Sequence, residues 1–224
     1  MLAVRRAGGL LWGSMTREEH QQKHAEFLAG AERVEWKPKD ITKRATVAEI
    51  FEREAPLEID FGSGDGSFIL AMAQRFPERN FLGTERMLGR VEKTCRAASR
   101  RGIPNVRVLR LESLYTAQWI LPVESAGIVH IGFPDPWPKR HHHPRRLFQD
   151  EFMIALHQVV VAGGEVRIKT DDQPYFIWIE KVLARAKGFE RIEWEEEADY
   201  PKTDFEAHFI AQGLPIYRAR LRRI

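Results

Sequence analysis

The chain has 224 residues, the length of one ordinary domain with room for a short appendage, and its 43% hydrophobic content contains no stretch near the roughly 20 apolar residues that span a bilayer. A helical membrane protein is thereby excluded, and the single cysteine, Cys95, excludes an internal disulfide framework and any multi-cysteine metal site. A reducing, cytoplasmic setting with Cys95 as a small buried hydrophobe is expected, while a net charge of +3 and a pI near 9.1 leave room for a polyanionic partner.

The chain starts with arginines and the run Gly8-Gly9-Leu10-Leu11-Trp12, too short for a signal peptide and without a small-residue cleavage site, so Met1 to Gly13 is expected to be a frayed end. Met15 stands directly before a helix-start signal, which makes it an alternative natural start. Thr16-Arg17-Glu18-Glu19 is a capping-box pattern opening a polar helix to Gly30, with so few apolar anchors that loose packing is expected. Arg33 to Arg44, charged and carrying Pro38, reads as a linker, so residues 1–45 form an extension and 46–224 the compact domain, opened by a short helix at Thr46-Val47-Ala48-Glu49.

Beyond Pro56, β-type runs alternate with amphipathic stretches: Leu57 to Phe61, Phe81 to Glu85, Val106 to Leu111, Ile128 to Phe133 and Val166 to Thr170. That alternation predicts βαβ units, hence an α/β, Rossmann-like, mostly parallel sheet with helices on both faces. Phe189 to Trp194 and Ile216 to Leu221 have no helix-length crossover pattern between them and are expected to close the sheet as an antiparallel pair.

The first strand runs into Asp60-Phe61-Gly62-Ser63-Gly64-Asp65-Gly66, an acid, a hydrophobe and then G-x-G-x-G. Gly62 and Gly64 let the backbone approach a ligand at the carboxyl end of the strand, where open α/β sheets bind nucleotides. A dinucleotide fingerprint needs glycine where Ser67 stands, and no Gly-Lys-Ser/Thr follows, so neither NAD nor a P-loop nucleotide fits. S-adenosylmethionine carries no pyrophosphate; it needs backbone clearance and a carboxylate, and Asp60 supplies one. Glu85 follows Gly66 at the roughly 20-residue spacing of a ribose-binding acid. Glu112, just past the third strand, is placed to accept from the adenine amino group.

The fourth strand ends in Phe133-Pro134-Asp135-Pro136-Trp137-Pro138-Lys139. Three prolines in five positions fix the directions of Asp135 and Trp137, beside the donor crevice. Lys139, Arg140, Arg145 and Arg146, with no intervening acid, sit next to an indole that can stack on a base, a combination suited to RNA. His141, His142 and His143 are adjacent and lack suitably spaced acid or cysteine partners; no metal is expected, and the rings read as RNA-facing donors or solvent-exposed groups.

These residues, with Lys169-Thr170-Asp171, Thr203-Asp204-Phe205-Glu206 and Gly213-Leu214-Pro215-Ile216-Tyr217-Arg218, resemble the bacterial tRNA (guanine-N7-)-methyltransferase family, which modifies position 46 in the variable loop of tRNA. The resemblance implies a class I methyltransferase fold with S-adenosylmethionine as donor, no obligate protein partner, donor roles for Asp60, Glu85, Glu112 and Asp135, and substrate roles for Lys139, Asp171, Thr203, Asp204, Phe205 and Glu206. RNA contacts are expected from Arg140, His141, His142, Arg145 and Arg146. Two departures stand out: Glu112 replaces a shorter Asp or Asn, and Gly13-Ser14-Met15-Thr16 only partly matches a Gly-Arg-Met-Thr segment of some members. Guanine N7 offers a lone pair and no proton, so Asp135 is expected to orient the base and stabilise its developing charge rather than to need basicity. The competing readings are an amino-methyltransferase of adenine N6 or cytosine N4, from whose loop pattern Trp137 differs, and a non-catalytic RNA-binding module.

Overall fold

A computed structural model of the chain describes residues 17–195 and 200–224. The expectations for Met1 to Gly13, for the Met15 start and for the Thr16 cap lie outside the described residues. The first helix, α1 (Arg17–Val34), is followed by α2 (Val47–Ile50), whose start carries the expected reciprocal capping box between Thr46 and Glu49. The sheet and its crossovers come next: β1 (Leu57–Phe61), α3 (Ser67–Arg75), β2 (Asn80–Thr84), α4 (Leu88–Arg101), β3 (Val106–Leu109), α5 (Ser113–Tyr115) with a π-helical turn Thr116–Ile120, and β4 (Ala126–Gly132). A 3-10 turn, Arg140–Arg145, precedes α6 (Asp150–Val159), β5 (Val160–Thr170), α7 (Gln173–Leu183), β6 (Phe189–Ile192), α8 (Asp204–Ala211) and β7 (Tyr217–Arg223).

The seven strands lie in the order β3-β2-β1-β4-β5-β7-β6. β1 to β5 pair in parallel, and β7 inserts antiparallel between β5 and β6, the antiparallel closure expected from the sequence. Strands covered on both faces must be apolar at nearly every position, and all five residues of β1 and of β2 are buried. One face packs Phe81, Val106 and Val108 against α3 and α4. The other packs Ile59, Leu82, Val129 and Ile168 against α6 and α7.

Three differences from the sequence reading have local causes. β5 begins at Val160 rather than Val166, because Val160 pairs with Ala126 before the chain bulges and resumes at Glu165 opposite Ile128. Gly164 permits this: a Cβ there would stand 2.8 Å from a Val160 methyl and 2.9 Å from the Gly127 carbonyl. An eight-residue helix, α8, lies between β6 and β7, started by the Thr203 hydroxyl accepting from the Glu206 amide. The polar α1 is braced rather than loose. It lies along α4, Ser99 Oγ donates to the Phe27 carbonyl at 2.9 Å, and Val34 joins the α3–α4 core. Trp36 continues this attachment, its amide donating to the Val108 carbonyl and its ring buried on the opposite face. Cys95 is buried in the α3–α4 core, where desolvation pushes its thiol up to about 12. None of the described helices is long and apolar enough to cross a membrane.

Candidate active site

The crossovers leave β1 and β4 toward opposite sides, so the loops at their carboxyl ends diverge and open a crevice. The first rim is the glycine loop. Gly62, Gly64 and Gly66 have φ of 78°, 58° and 80°, values that a side chain makes costly. The amides of Gly62 and Ser63 both donate to the Thr84 carbonyl, at 3.0 and 2.8 Å, which pins this loop to the end of β2. A side chain at Gly66 would also collide with Thr94 on α4.

The second rim is the proline loop after β4. The Phe133 amide donates to the Lys169 carbonyl at 2.8 Å, extending the β4–β5 ladder by one step. Phe133 and Trp137 then take φ of 51° and 45°, rare for bulky residues and worth on the order of 1–3 kcal/mol of strain each. Contacts hold that shape: Arg146 Nε donates to the Pro136 carbonyl at 2.9 Å, and the Arg145 guanidinium lies 5.1 Å from the centre of the Trp137 ring.

Between the rims is a cavity of about 770 Å³. It brings together Asp60, Gly62, Gly64, Asp135, Thr203, Asp204, Phe205 and Glu206 from the sequence-derived set. Glu85, Glu112, Lys139 and Asp171 lie outside its lining. Glu85 is buried just after β2, where its carboxylate accepts from the amides of Arg86 and Met87 at 2.7 and 2.8 Å and stands 3.6 Å from Arg90. Glu112 is exposed and caps α5, accepting from the Tyr115 amide at 2.8 Å. Lys139, Arg140, His141 and Arg145 are exposed on the outer side of the proline loop and His142 is half-buried against Trp137, whereas Arg146 is buried beneath the loop. Among the described residues no three His, Cys, Asp or Glu side chains converge as a metal site would require.

Asp60 is buried and aimed into the cavity, and no described group hydrogen-bonds its carboxylate. Burial first, and then the negative charge of Glu85, push its carboxyl up to about 7. A cation seated in the cavity would relieve both effects.

Glu206 is buried with three partners. Lys169 at the end of β5 lies 2.8 Å from each of its oxygens, Arg218 on β7 lies 3.4 Å away, and Thr203 caps its amide. Both cations also face the Trp194 ring. This ion pair straps α8 across the cavity mouth, with Phe205 exposed at its start.

The motifs give no role to three of the cavity residues, and two of these, His130 and Arg167, stand in no motif at all. His130, Arg167 and Lys169 occupy alternate strand positions on the face that Asp60 shares, since Asp60 pairs with His130 and His130 with Arg167. Behind them His130 Nε2 lies 2.7 Å from Glu58, which Arg79 contacts at 2.6 Å. Burial opposes ionisation of Glu58, but these two partners outweigh it and hold the carboxyl below its usual range. The signal available in the sequence was the charge pattern itself: Glu58, His130, Glu165 and Arg167 interrupt strands otherwise apolar enough to be buried.

A mostly parallel seven-stranded sheet with an antiparallel end and a glycine-rimmed cavity at its switch point defines a class I methyltransferase fold. Solved structures of that fold agree: "16S rRNA Methyltranferase KamB" superposes with a TM-score of 0.60 at 16% identity, covering 85% of this chain and 98% of that one. "TrmN from Thermus thermophilus" gives 0.54 at 17% identity, covering 77% of this chain and 45% of that one. Residues 54–219 match a family model described as "Putative methyltransferase". The tRNA (guanine-N(7)-)-methyltransferase of Nitrosococcus oceani is 35% identical over 79% of this chain and 75% of its own length. The enzyme of the same name from Aeromonas hydrophila is 30% identical over 94% and 87%. The chain belongs to this tRNA (guanine-N(7)-)-methyltransferase family.

Two outcomes follow from the cavity's charges. The folded-state pKa of Asp60 lies above its ordinary 3.8, so the folded protein holds a proton that the unfolded chain loses between about pH 4 and 7; this position therefore costs stability as pH rises through that window. Asp60→Asn should remove the cost, raising ligand-free stability at about pH 8 by up to a few kcal/mol and much less at about pH 4, as read by urea unfolding. Equal effects at both pH values would refute the assignment. Lys169→Met should destabilise by about 2–4 kcal/mol by leaving the buried Glu206 only the longer contact to Arg218, and Glu206→Leu in the same chain should recover part of it. Wild-type unfolding midpoints in Lys169→Met would dismiss the strap.

Proposed function

We propose that this chain transfers the methyl group of S-adenosylmethionine to N7 of a guanine in tRNA, at position 46 of the variable loop. The observation that carries the proposal is the shared cavity: an unpartnered buried carboxylate, Asp60, and Asp135, exposed on the anchored proline loop, line one space beside the glycine loop. A cationic sulfonium suits Asp60, and the donor's ribose and adenine would extend from the glycine bend toward Glu85 and Glu112. Residues 46–224 are assigned as the catalytic domain and the cytoplasm as its compartment, with α1 of the extension bracing α4.

The chemistry asks little of the protein beyond geometry. The in-plane lone pair of N7 attacks the methyl carbon as the carbon–sulfur bond breaks, and no proton need leave. Holding nucleophile, methyl and sulfur in line can supply up to about 7–11 kcal/mol of the barrier reduction. Positive charge moves from sulfur onto the purine during transfer, and a fixed carboxylate at Asp135 stabilises that charge without reorganising. The same carboxylate can accept from guanine N1 and N2 donors, which adenine does not present in that pattern. Phe205, exposed at the mouth, offers a stacking face, and Thr203 and Asp204 offer polar edges. Glu206 serves through the Lys169 strap, holding this segment in place. Asp171, exposed beyond β5, is assigned with Lys139 and the basic turn to the approach of the RNA. No metal enters this mechanism.

Incubation with labelled S-adenosylmethionine and unmodified tRNA, followed by mapping of the methylated base, tests the activity directly; a label on an exocyclic amine would point instead to an amino-methyltransferase. Asp135→Ala should lower single-turnover transfer by at least about a hundredfold with little change in stability. Lys139→Ala should mainly raise the KM for tRNA and flatten its salt dependence. Full activity in Asp135→Ala would remove the catalytic assignment.

A further inference from the structure

A second pocket, of about 370 Å³, lies on the other side of the proline loop and shares no lining residue with the transfer cavity. One wall is the loop, through Pro138, His143 and Arg146. The other is one stripe of α7, where Ile177, Trp178 and Lys181 follow Pro174 at helical spacing.

Arg146 is the unusual member. It is only 6% exposed, and its guanidinium lies 5.0 Å from the Tyr175 ring centre and 5.1 Å from that of Trp178. Its Nε is used by the Pro136 carbonyl, but no described acid pairs with the charge and no described acceptor meets its two terminal nitrogens. The terminal nitrogens are not fully enclosed, so this largely buried cation keeps open donors that a ligand in the pocket can meet. Lys181, exposed on the same pocket wall, also has no acid partner among the described residues. The one carboxylate in the lining, Asp172, is committed to capping α7, accepting from the Tyr175 amide at 2.7 Å. A fork of guanidinium donors with an ammonium and an imidazole around one small space is the donor set for a phosphate.

We propose that this pocket binds a backbone phosphate of the substrate RNA, held by Arg146 and Lys181, so that the proline loop is gripped between two parts of one RNA chain. The inference rests on tRNA being the substrate. It extends the RNA surface from the basic turn onto α7, which no motif in the chain marks.

The test uses the full chain, an unmodified tRNA transcript and the variant Lys181→Glu, which touches no internal contact. Lys187→Glu, in the turn between α7 and β6, controls for general surface charge. Lys181→Glu should raise the KM and Kd for tRNA about tenfold or more, reduce the slope of log affinity against log salt by about 1, and leave kcat at saturating tRNA within about twofold. Lys187→Glu should change affinity less than about twofold. If wild type methylates tRNA while Lys181→Glu keeps wild-type affinity and slope, or if both variants lose affinity equally, the phosphate pocket is overturned and the transfer site is not. A wild-type chain that neither binds nor methylates tRNA overturns the functional reading and this inference with it.

Discussion

The arrangement depends on one topological constraint: β1 and β4 are hydrogen-bonded neighbours whose following connections depart in opposite directions. Loops that leave the same edge on opposite sides cannot pack on each other, so a crevice is obligatory there. Each loop is anchored to the next strand outward, the glycine loop to the Thr84 carbonyl and the proline loop to the Lys169 carbonyl. The crevice therefore has two stiff rims, and its width is set by the sheet rather than by loop sequence.

The same constraint explains charge inside a sheet that should be apolar. Strands buried under helices on both sides ordinarily carry hydrophobes throughout. Here one face of β1, β4, β5 and β7 bears Asp60, His130, Arg167 and Arg220 in adjacent register, because the cavity and not a helix lies over part of it. The charges deeper in are paired, Glu58 with His130 and Arg79, and Glu165 with Arg167 and Arg220. Buried pairs of this kind add little net stability over hydrophobic packing, but leaving one member alone is expensive. Their effect is to fix orientations beneath the cavity, while Asp60, on the same face, has no such partner among the described residues.

Much of this was legible in the residues. Strand-helix alternation gave the parallel sheet, and the glycine spacing and the prolines located both rims, because backbone conformation there is dictated by local chemistry. What stayed illegible depends on long-range pairing. Lys169 and Glu206 are 37 positions apart, and nothing local distinguishes Glu206 from a capping residue. Arg146 reads in the chain as one more member of a basic run, yet the fold buries it between rings supplied by α7 while Arg145 beside it stays outside. The packing of α1 was missed for a similar reason: its attachment uses a few scattered residues, Ser99 bonding the Phe27 carbonyl among them, too sparse to register as a hydrophobic stripe.

The proline loop connects these observations. Prolines limit its conformations but do not by themselves select the one with left-handed Phe133 and Trp137. That selection comes from below, where Arg146 holds the Pro136 carbonyl while its own guanidinium is held between Tyr175 and Trp178, and Trp178 in turn donates to the Phe148 carbonyl at 2.8 Å. The backbone that carries Asp135 is thus positioned by a chain of contacts running through α7 to the core. A reaction whose barrier is lowered chiefly by alignment requires that kind of support, since an aspartate on a loop held only by its own prolines would sample positions an ångström or more from the productive one.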